Sequence, residues 1–173
     1  MIEPEPPPRY PLSWVLFLVL LAGALVWVST TVAQLPARVA THFDAAGNPN
    51  GFMTRSDYLL FMLPFSVGLP SLVVGLMSAV FRRGSRFNLP HRDYWLAPER
   101  LAHTRAFLVG HAVWFGSILT AFLCFVHALV IDANRTQPAH LDNDQALRGL
   151  AAVLAALGIW MAVLVLRFRR PRA

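Results

Sequence analysis

The sequence predicts an all-α integral membrane protein, folded as one domain over residues 1–173 with a bundle of about four transmembrane helices. Hydrophobic residues make up 56% of the chain and charged residues only 14%, and the mean hydropathy is +0.51. This composition is far more apolar than that of a soluble domain. Apolar stretches of about 20 residues, the length that crosses a bilayer, cover 12–32, 58–81, 107–131 and 146–166.

The loops differ in their arginine content, and this difference predicts the orientation. All basic residues of the chain are arginine, and most of them lie in the loop 82–106 or after the last span. The positive-inside rule places both segments in the cytoplasm. Both termini are therefore expected to be cytoplasmic, with the loop 33–57 outside. The net charge of +6 then follows from topology, and we expect no nucleic-acid partner.

The first helix is expected to start after a proline-rich lead-in. Tyr10 and Trp14 stand where an interfacial aromatic belt would anchor it. The pair Leu35-Pro36 is expected to end it, because the residue before a proline disfavours the helical conformation. The chain then enters the loop 33–57.

The second helix is expected to bend. It contains Pro64, Gly68 and Pro70, and proline within a helix is a common cause of a kink. Ser66 and Ser71, or neighbouring helices, are expected to satisfy the carbonyl groups that the bend frees.

Small residues at a four-residue step predict two helix-packing faces. One face lies on the second span, and the other lies on the last span. The members are Ser71, Gly75 and Ala79 on the second span, and Ala151, Ala152, Ala155, Ala156 and Gly158 on the last. We expect both faces to pack within the bundle, and a dimer interface is the alternative.

The loop 82–106 is expected to hold the start of the third helix. Pro98 and Glu99 have the character of a first helical turn, with proline where its missing N–H is tolerated and an acid at the positive end of the dipole. Arg82, Arg83 and Arg86 are expected to contact lipid phosphates. Fixing the topology is an alternative explanation for the same arginines.

Residues 41–51, THFDAAGNPNG, form a polar segment in an otherwise apolar chain. Their glycine, proline, asparagine and aspartate predict a turn and not a helix. Candidate ligand-binding or turn-clamping residues are His42, Asp44, Asn48, Asn50 and Arg55. We expect His42 and Asp44 to bond across the turn and Arg55 to clamp an acid. Two interpretations remain open, a self-capped connection between helices and a site that captures a ligand or peptide.

Histidine and carboxylate on the outer side suggest a candidate metal site. His42, Asp44 and His127 are of the types that hold zinc, although no recognised metal-binding spacing occurs among them. His111, within the third span, is expected to be a core residue with one hydrogen bond. No nucleophile elbow or phosphate-binding glycine loop occurs, so we expect no catalytic residues, no cofactor and no enzymatic activity.

The segment LPARVATHFDAAGNPNGFMTRSDYLL resembles the signature of a bacterial membrane domain of unknown function, which also forms the N-terminal part of SdpI-like immunity proteins. The matching residues, in order, are Leu35, Pro36, His42, Phe43, Asp44, Gly47 and Arg55. Phe52 stands where the signature has tryptophan, and Thr54 stands where it has serine. The Gly-Ile-Arg motif of the second SdpI module has no counterpart here. The resemblance implies a multispan protein of the bacterial inner membrane with an ordered outer turn.

Taken together, these features predict a non-enzymatic, multi-pass membrane protein that acts in sensing, immunity or partner binding through residues 35–57. Expected partners are membrane lipids and an extracytoplasmic peptide or membrane protein; the oligomeric state is left open. A small transporter or channel subunit is the alternative, because a bent second helix would suit a gate. A metal-dependent membrane enzyme is a third reading, which requires His42, Asp44 and His127 to converge.

Overall fold

The structure is a computed structural model that describes residues 10–84 and 88–169. Helical elements dominate it, and two short strands form a hairpin between the first two spans. The helices are α1 (Pro11–Thr31), α2 (Arg55–Leu63), α3 (Leu69–Arg83), α4 (Arg92–Trp95), α5 (Pro98–Ala133) and α6 (Asn143–Phe168). The strands are β1 (Arg38–Phe43) and β2 (Pro49–Thr54). A 3₁₀ turn, Val32–Gln34, follows α1, and a π-helical turn, Pro64–Gly68, joins α2 to α3.

Four helical segments are long and apolar enough to cross a membrane, which confirms the predicted all-α bundle. They are Pro11–Gln34, Arg55–Arg83, Pro98–Ala133 and Asn143–Phe168. Each extends beyond the predicted span, because hydropathy marks only the apolar part of a helix. The 36 residues of α5 measure about 54 Å at 1.5 Å per residue, longer than the hydrocarbon core of about 30 Å.

The bundle has two unlike ends. The hairpin end carries β1, β2 and the connection between α5 and α6, whereas the arginine end carries the start of α1, the connection between α3 and α5, and the end of α6. Between them α5 is the central helix, since α1, α3 and α6 all pack against it. Phe17, Val74 and Val113 bring α1, α3 and α5 together in a buried apolar cluster.

The bend predicted in the second span is confirmed. The π-helical turn Pro64–Gly68 lies between α2 and α3, and the two prolines account for the interruption because each lacks a backbone N–H. Both predicted serines bond to carbonyls one turn earlier. Ser66 Oγ donates to the Met62 carbonyl at 2.7 Å, and Ser71 Oγ donates to the Val67 carbonyl at 2.6 Å.

The expectation that the small-residue face of the second span packs within the bundle is wrong. Ser71 and Gly75 are exposed, and a Cβ built on Gly75 meets nothing within 4 Å. The buried residues of α3 are instead Pro70, Val74 and Ser78, one position away from the predicted set. Four-residue spacing identifies a helix face, but it does not say which neighbour covers that face.

The small residues of α6 contact α5 over part of their length. A Cβ on Gly149 would overlap the ring of Phe125, so glycine permits this close approach. Ala152 and Ala156 line a shallow depression beside it, whereas Ala151 and Ala155 are exposed. The most apolar window of α6 has none of its residues buried, so this helix lies at the edge of the bundle.

The predicted start of the third helix at Pro98 is confirmed, since α5 begins there with proline in its first turn. The connection before it is anchored to the bundle at the arginine end. Thr104 Oγ1 donates to the carbonyl of Trp95 at 2.8 Å. The Trp95 ring meets Phe168 edge-on, with 5.3 Å between ring centroids, and this contact ties α4 to α6.

The loop between the first two spans contains a β-hairpin, which was not predicted from the sequence. Strands β1 and β2 pair antiparallel, with Val39 opposite Met53 and Ala40 opposite Phe52. The register shifts between Ala40 and His42. This irregularity breaks the two-residue alternation that would reveal a strand. Of the residues 41–51 predicted as a turn, only 44–48 form it, with Gly47 at a positive φ of 83°, a conformation that favours glycine; the flanking residues belong to β1 and β2.

Candidate functional site at the hairpin end

The hairpin turn is organised around Asp44. Its Oδ1 accepts the backbone N–H groups of Ala46 at 2.9 Å and Asn48 at 2.8 Å, and Asn48 Nδ2 lies 3.4 Å from Oδ2. Hydrogen bonds to the ionised form, that from the Asn48 backbone first, hold the pKa of Asp44 below its ordinary value of 3.8. Asp44 therefore stabilises the turn in its charged form.

Asn134, at the end of α5, fastens the hairpin to the bundle. Its Oδ1 accepts the backbone N–H of Ala40 at 2.9 Å, and its Nδ2 donates to the Ala40 carbonyl at 2.9 Å and to the Val130 carbonyl at 2.8 Å. The side-chain amide thus pairs with β1 as a neighbouring strand would. It closes the outer edge of β1.

The turn itself is fastened by the connection between α5 and α6. The backbone N–H of Leu141 donates to the Gly47 carbonyl at 3.0 Å, and Asn143 Nδ2 donates to the Ala45 carbonyl at 2.9 Å. A Cβ on Gly47 would lie 2.6 Å from the Leu141 carbonyl oxygen. Gly47 is therefore required both for its positive φ and for this close approach.

Below the hairpin, His127 joins three helices through a buried hydrogen-bond chain. His127 has no exposed surface. Its Nδ1 lies 2.8 Å from the hydroxyl of Tyr58 in α2, and its Nε2 lies 2.8 Å from Oγ1 of Thr31 at the end of α1. The ring of Trp27 meets the imidazole edge-on, with 4.9 Å between centroids.

The direction of this chain follows from the single hydroxyl proton of Thr31. Thr31 Oγ1 donates to the Trp27 carbonyl at 2.7 Å, so it accepts at its other side and Nε2 of His127 carries the proton. The neutral imidazole then accepts at Nδ1, from the Tyr58 hydroxyl. Each polar side-chain atom of this hydrogen-bond chain has a partner when the imidazole is uncharged. The uncharged form is also the one that apolar surroundings favour.

A cavity of about 500 Å³ lies between the hairpin, α2 and α5. Thr41 and His42 line it on the hairpin side, and Tyr58 belongs both to its wall and to the His127 chain. The remaining lining is apolar, from Met53, Phe61, Met62, Phe65, Phe122, Leu123, Val126 and Val130. The cavity thus offers an apolar interior with a few polar groups at one side.

The outer edge of β1 is hydrogen-bonded to Asn134 at Ala40, whereas the outer edge of β2 has no such partner among the described residues. In an antiparallel pair, the residues of every second pair direct N–H and C=O away from the partner strand. Ala40 directs its groups to Asn134, so Phe52 opposite it directs its own groups to the other side. Within residues 10–84 and 88–169 these groups of Phe52 bond to no third segment. The Phe52 ring is 44% exposed under the Arg38 guanidinium, 4.1 Å from its centroid.

The predicted site residues occupy different parts of the hairpin. His42 lies at the cavity, Asp44 and Asn48 form the turn, and Asn50 is exposed on β2. The expected bond between His42 and Asp44 is not among those formed by the described residues, because Asp44 turns back to its own loop. Arg55 starts α2 and donates its backbone N–H to the Ala37 carbonyl at 3.1 Å.

The expected ion pair of Arg55 is likewise not formed within the described ranges. The acid nearest in sequence, Asp57, instead accepts from Thr54 Oγ1 at 2.7 Å, while Thr54 Oγ1 caps α2 by accepting from the Asp57 backbone N–H at 3.1 Å. The capping arrangement of Thr54 and Asp57 therefore holds this corner, and the clamp assigned to Arg55 is wrong.

The interpretation as a metal-dependent enzyme requires His42, Asp44 and His127 to converge, and the structure does not bring these three residues together. Among the described residues, no group of three or more potential ligands comes together. Both ring nitrogens of His127 are engaged by Tyr58 and Thr31. The position of His127 near the end of the third span suggested that its side chain would lie close to the acidic residues of the outer loops. In the structure its ring instead points between helices.

Two of the three arginines predicted to contact lipid are described, and both lie at the opposite end. Arg82 lines a cavity there, Arg83 is exposed in the last turn of α3, and Arg86 lies outside the described residues.

Sequence reasoning missed Asn134, Tyr58 and Thr31. One signal was available, because a polar side chain at the end of an apolar span needs a hydrogen-bond partner. The sequence does not name that partner. Asn134 reaches Ala40 across 94 positions, and His127 reaches Tyr58 across 69.

The comparison with family models matches the part of the chain that contains the hairpin. Residues 14–67, which run from α1 through the hairpin into the π-helical turn, match a family described as Domain of unknown function (DUF1648). An uncharacterized protein of Archaeoglobus fulgidus is 32% identical over 95 aligned positions, covering 44% of this chain and 51% of the relative. The chain thus spans about half the length of that relative. No solved structure matches.

Proposed function

We propose that the protein is a non-enzymatic, multi-pass protein of the bacterial inner membrane that binds an extended peptide segment of a partner at the hairpin end. Sensing and SdpI-like immunity are the roles in which such capture would serve. The observation that supports it most directly is the open edge of β2 beside an apolar cavity. The family match covers the same hairpin.

The edge of β2 suits the addition of a strand. A peptide laid along it would bond to the outward N–H and C=O of Phe52, and alternate side chains would point toward neighbouring surfaces. The hairpin is already fixed by Asn134 and by the Leu141 and Asn143 contacts. Binding would therefore cost little ordering of the receptor, which is the benefit of preorganisation.

The cavity suits an apolar side chain of such a peptide. Its polar groups are confined to the side of Thr41, His42 and Tyr58, so it would accept an aliphatic or aromatic group and offer hydrogen bonds at one side only. His42 and Asn50 would contact the peptide from the hairpin. Of the ligand-binding candidates from the sequence, this proposal therefore retains His42 and Asn50.

A transport role is the second candidate. Phe65, in the π-helical turn, lines the cavity, so a movement of the bend would change the cavity shape. The predominantly apolar lining favours a peptide side chain over an ion or polar solute.

The proposal is tested by photo-cross-linking from a benzoylphenylalanine placed at Asn50 in native membranes, combined with either Phe52→Ala or Phe52→Pro. Both variants lose the aromatic ring, but only proline loses the outward N–H. We expect a discrete polypeptide product that persists with Phe52→Ala and falls at least fivefold with Phe52→Pro, since about 1 kcal/mol accompanies one hydrogen bond.

A probe at Leu72, an exposed apolar residue of α3, is the control position and should give no such product. Protease nicking within residues 44–48 reports whether the hairpin stays folded in both variants. Equal products from Phe52→Ala and Phe52→Pro, with the hairpin intact, would refute strand addition.

A further inference from the structure

A second cavity lies at the arginine end, between the start of α1, the end of α3 and the first turns of α5. Its volume is about 380 Å³, and its lining includes Arg82, Arg105, Trp14 and Val109. Among the described residues, no acidic side chain lines it. Two positive charges therefore share a cavity whose other walls are largely apolar.

The guanidinium of Arg105 is only partly satisfied. Its Nη2 donates to the Gly84 carbonyl at 2.7 Å, which holds the side chain in place. Its Nε is buried and has no hydrogen-bond partner in the described part of the chain. A buried N–H of a charged group without a partner is unfavourable, so the described residues leave the donor capacity of this guanidinium incompletely used.

Neither arginine of the cavity is neutralised by a carboxylate among the described residues. The ion pairs formed within residues 10–84 and 88–169 are Arg92 with Asp93 and, at the hairpin end, Arg135 with Asp132. Arg82 is exposed in the last turn of α3 and can turn its guanidinium toward an anion. The cavity is therefore complementary to a group with negative charge and several acceptor oxygens.

The surroundings of the cavity match the headgroup region of a bilayer. A Cβ on Gly110 would lie 2.9 Å from Cδ2 of Tyr10, so glycine lets the Tyr10 ring close against α5 and form one wall. Tyrosine and tryptophan, here Tyr10 and Trp14, prefer the membrane–water interface. Farther along the same face of α1 as Trp14, Leu18 and Leu25 are 57% and 48% exposed and offer a surface for acyl chains.

We propose that this cavity binds the phosphate of an anionic phospholipid, with its acyl chains lying along α1. Arginine forks pair with phosphate oxygens through two parallel hydrogen bonds, and Arg82 and Arg105 place two guanidinium groups at this cavity. A free phosphate shares this chemistry, but the exposed apolar flank of α1 favours the lipid. Arg105 thus joins Arg82 as a lipid contact, and Arg83 lies outside the cavity lining.

The test measures binding of phosphatidylglycerol to the full chain in a zwitterionic detergent, by native mass spectrometry over a lipid titration. We expect Arg82→Gln to weaken binding about tenfold or more, because a charge-assisted hydrogen bond is lost. Arg83→Gln removes the same charge one residue away and should change binding less than twofold. Phosphatidylcholine should bind at least tenfold more weakly than phosphatidylglycerol to the unchanged chain.

A second variant fills the cavity without changing the charge. Ala102 lines the cavity and is exposed, so Ala102→Phe should block lipid binding while the thermal midpoint without lipid stays unchanged. Equal losses in Arg82→Gln and Arg83→Gln would show a diffuse surface charge and overturn the site. Competition by millimolar inorganic phosphate, without discrimination between the two lipids, would assign the cavity to free phosphate and overturn the lipid.

Discussion

At the scale of single residues, His127 shows how a polar side chain is accommodated in an apolar helix. Its imidazole receives one hydrogen bond, donates another and carries no charge, so burial costs little. The chain through Tyr58 and Thr31 also joins α2, α5 and α1 directly below the hairpin. The sequence places His127 in a span, but its partners are fixed only by the way in which helices pack.

Replacing Tyr58 by phenylalanine tests this chain. Tyr58→Phe leaves Nδ1 of His127 buried without a donor, which should lower the free energy of unfolding by about 1–3 kcal/mol. Chemical unfolding in detergent measures this change. Tyr10→Phe is the matched control, because no hydrogen bond of the Tyr10 hydroxyl is found among the described residues. An equal loss in both variants would contradict the assigned role.

In a second step, Tyr58→Phe is combined with His127→Leu. Once the imidazole is absent, the Tyr58 hydroxyl has no partner to lose, so the two changes should be clearly less than additive. Strict additivity would mean that the 2.8 Å contact contributes nothing to stability.

At the scale of elements, the sequence predicts the long helices well and the hairpin poorly. A span of about 20 apolar residues has few alternatives to a helix, and Pro64 and Pro70 report the bend directly. The strands β1 and β2 have six residues each and a register shift at His42. Their pairing is stabilised by Asn134, which follows α5 and is 94 positions from Ala40, so the local sequence pattern could not identify it.

Gly116 and Gly75 allow a buried helix face to be compared with an exposed one. A Cβ at Gly116 would overlap the Val74 side chain and lie 3.0 Å from the Phe17 ring, where α1, α3 and α5 meet. Gly116→Val should therefore lower the free energy of unfolding by about 1–3 kcal/mol through overpacking. The same change at Gly75, which has nothing within 4 Å, should be close to neutral.

Unfolding of both valine variants in detergent, together with their oligomeric state, decides this point. A loss of stability in Gly75→Val that depends on protein concentration would contradict this expectation. It would mean that the face of Ser71, Gly75 and Ala79 packs against a second copy, which is the dimer alternative from the sequence analysis.

At the scale of the whole molecule, each end of the bundle carries one of the two proposed binding sites. The hairpin end holds a fixed sheet edge and an apolar cavity, whereas the arginine end holds a cationic cavity. Because the bundle has four long helices, α1 begins and α6 ends at the arginine end. The proposed lipid site and the peptide site would then face opposite sides of the membrane, and orientation decides which solvent each one meets.

That orientation is testable with a single cysteine. Asn48 is exposed in the hairpin turn, and His91 is exposed at the arginine end. With Cys124, the single native cysteine, replaced by alanine, an impermeant maleimide should label Asn48→Cys on whole cells and His91→Cys only in inverted vesicles. The physical reason is that arginine-rich segments are retained on the cytoplasmic side during insertion. The reverse pattern would expose the peptide site to the cytoplasm and remove the basis for an extracytoplasmic partner.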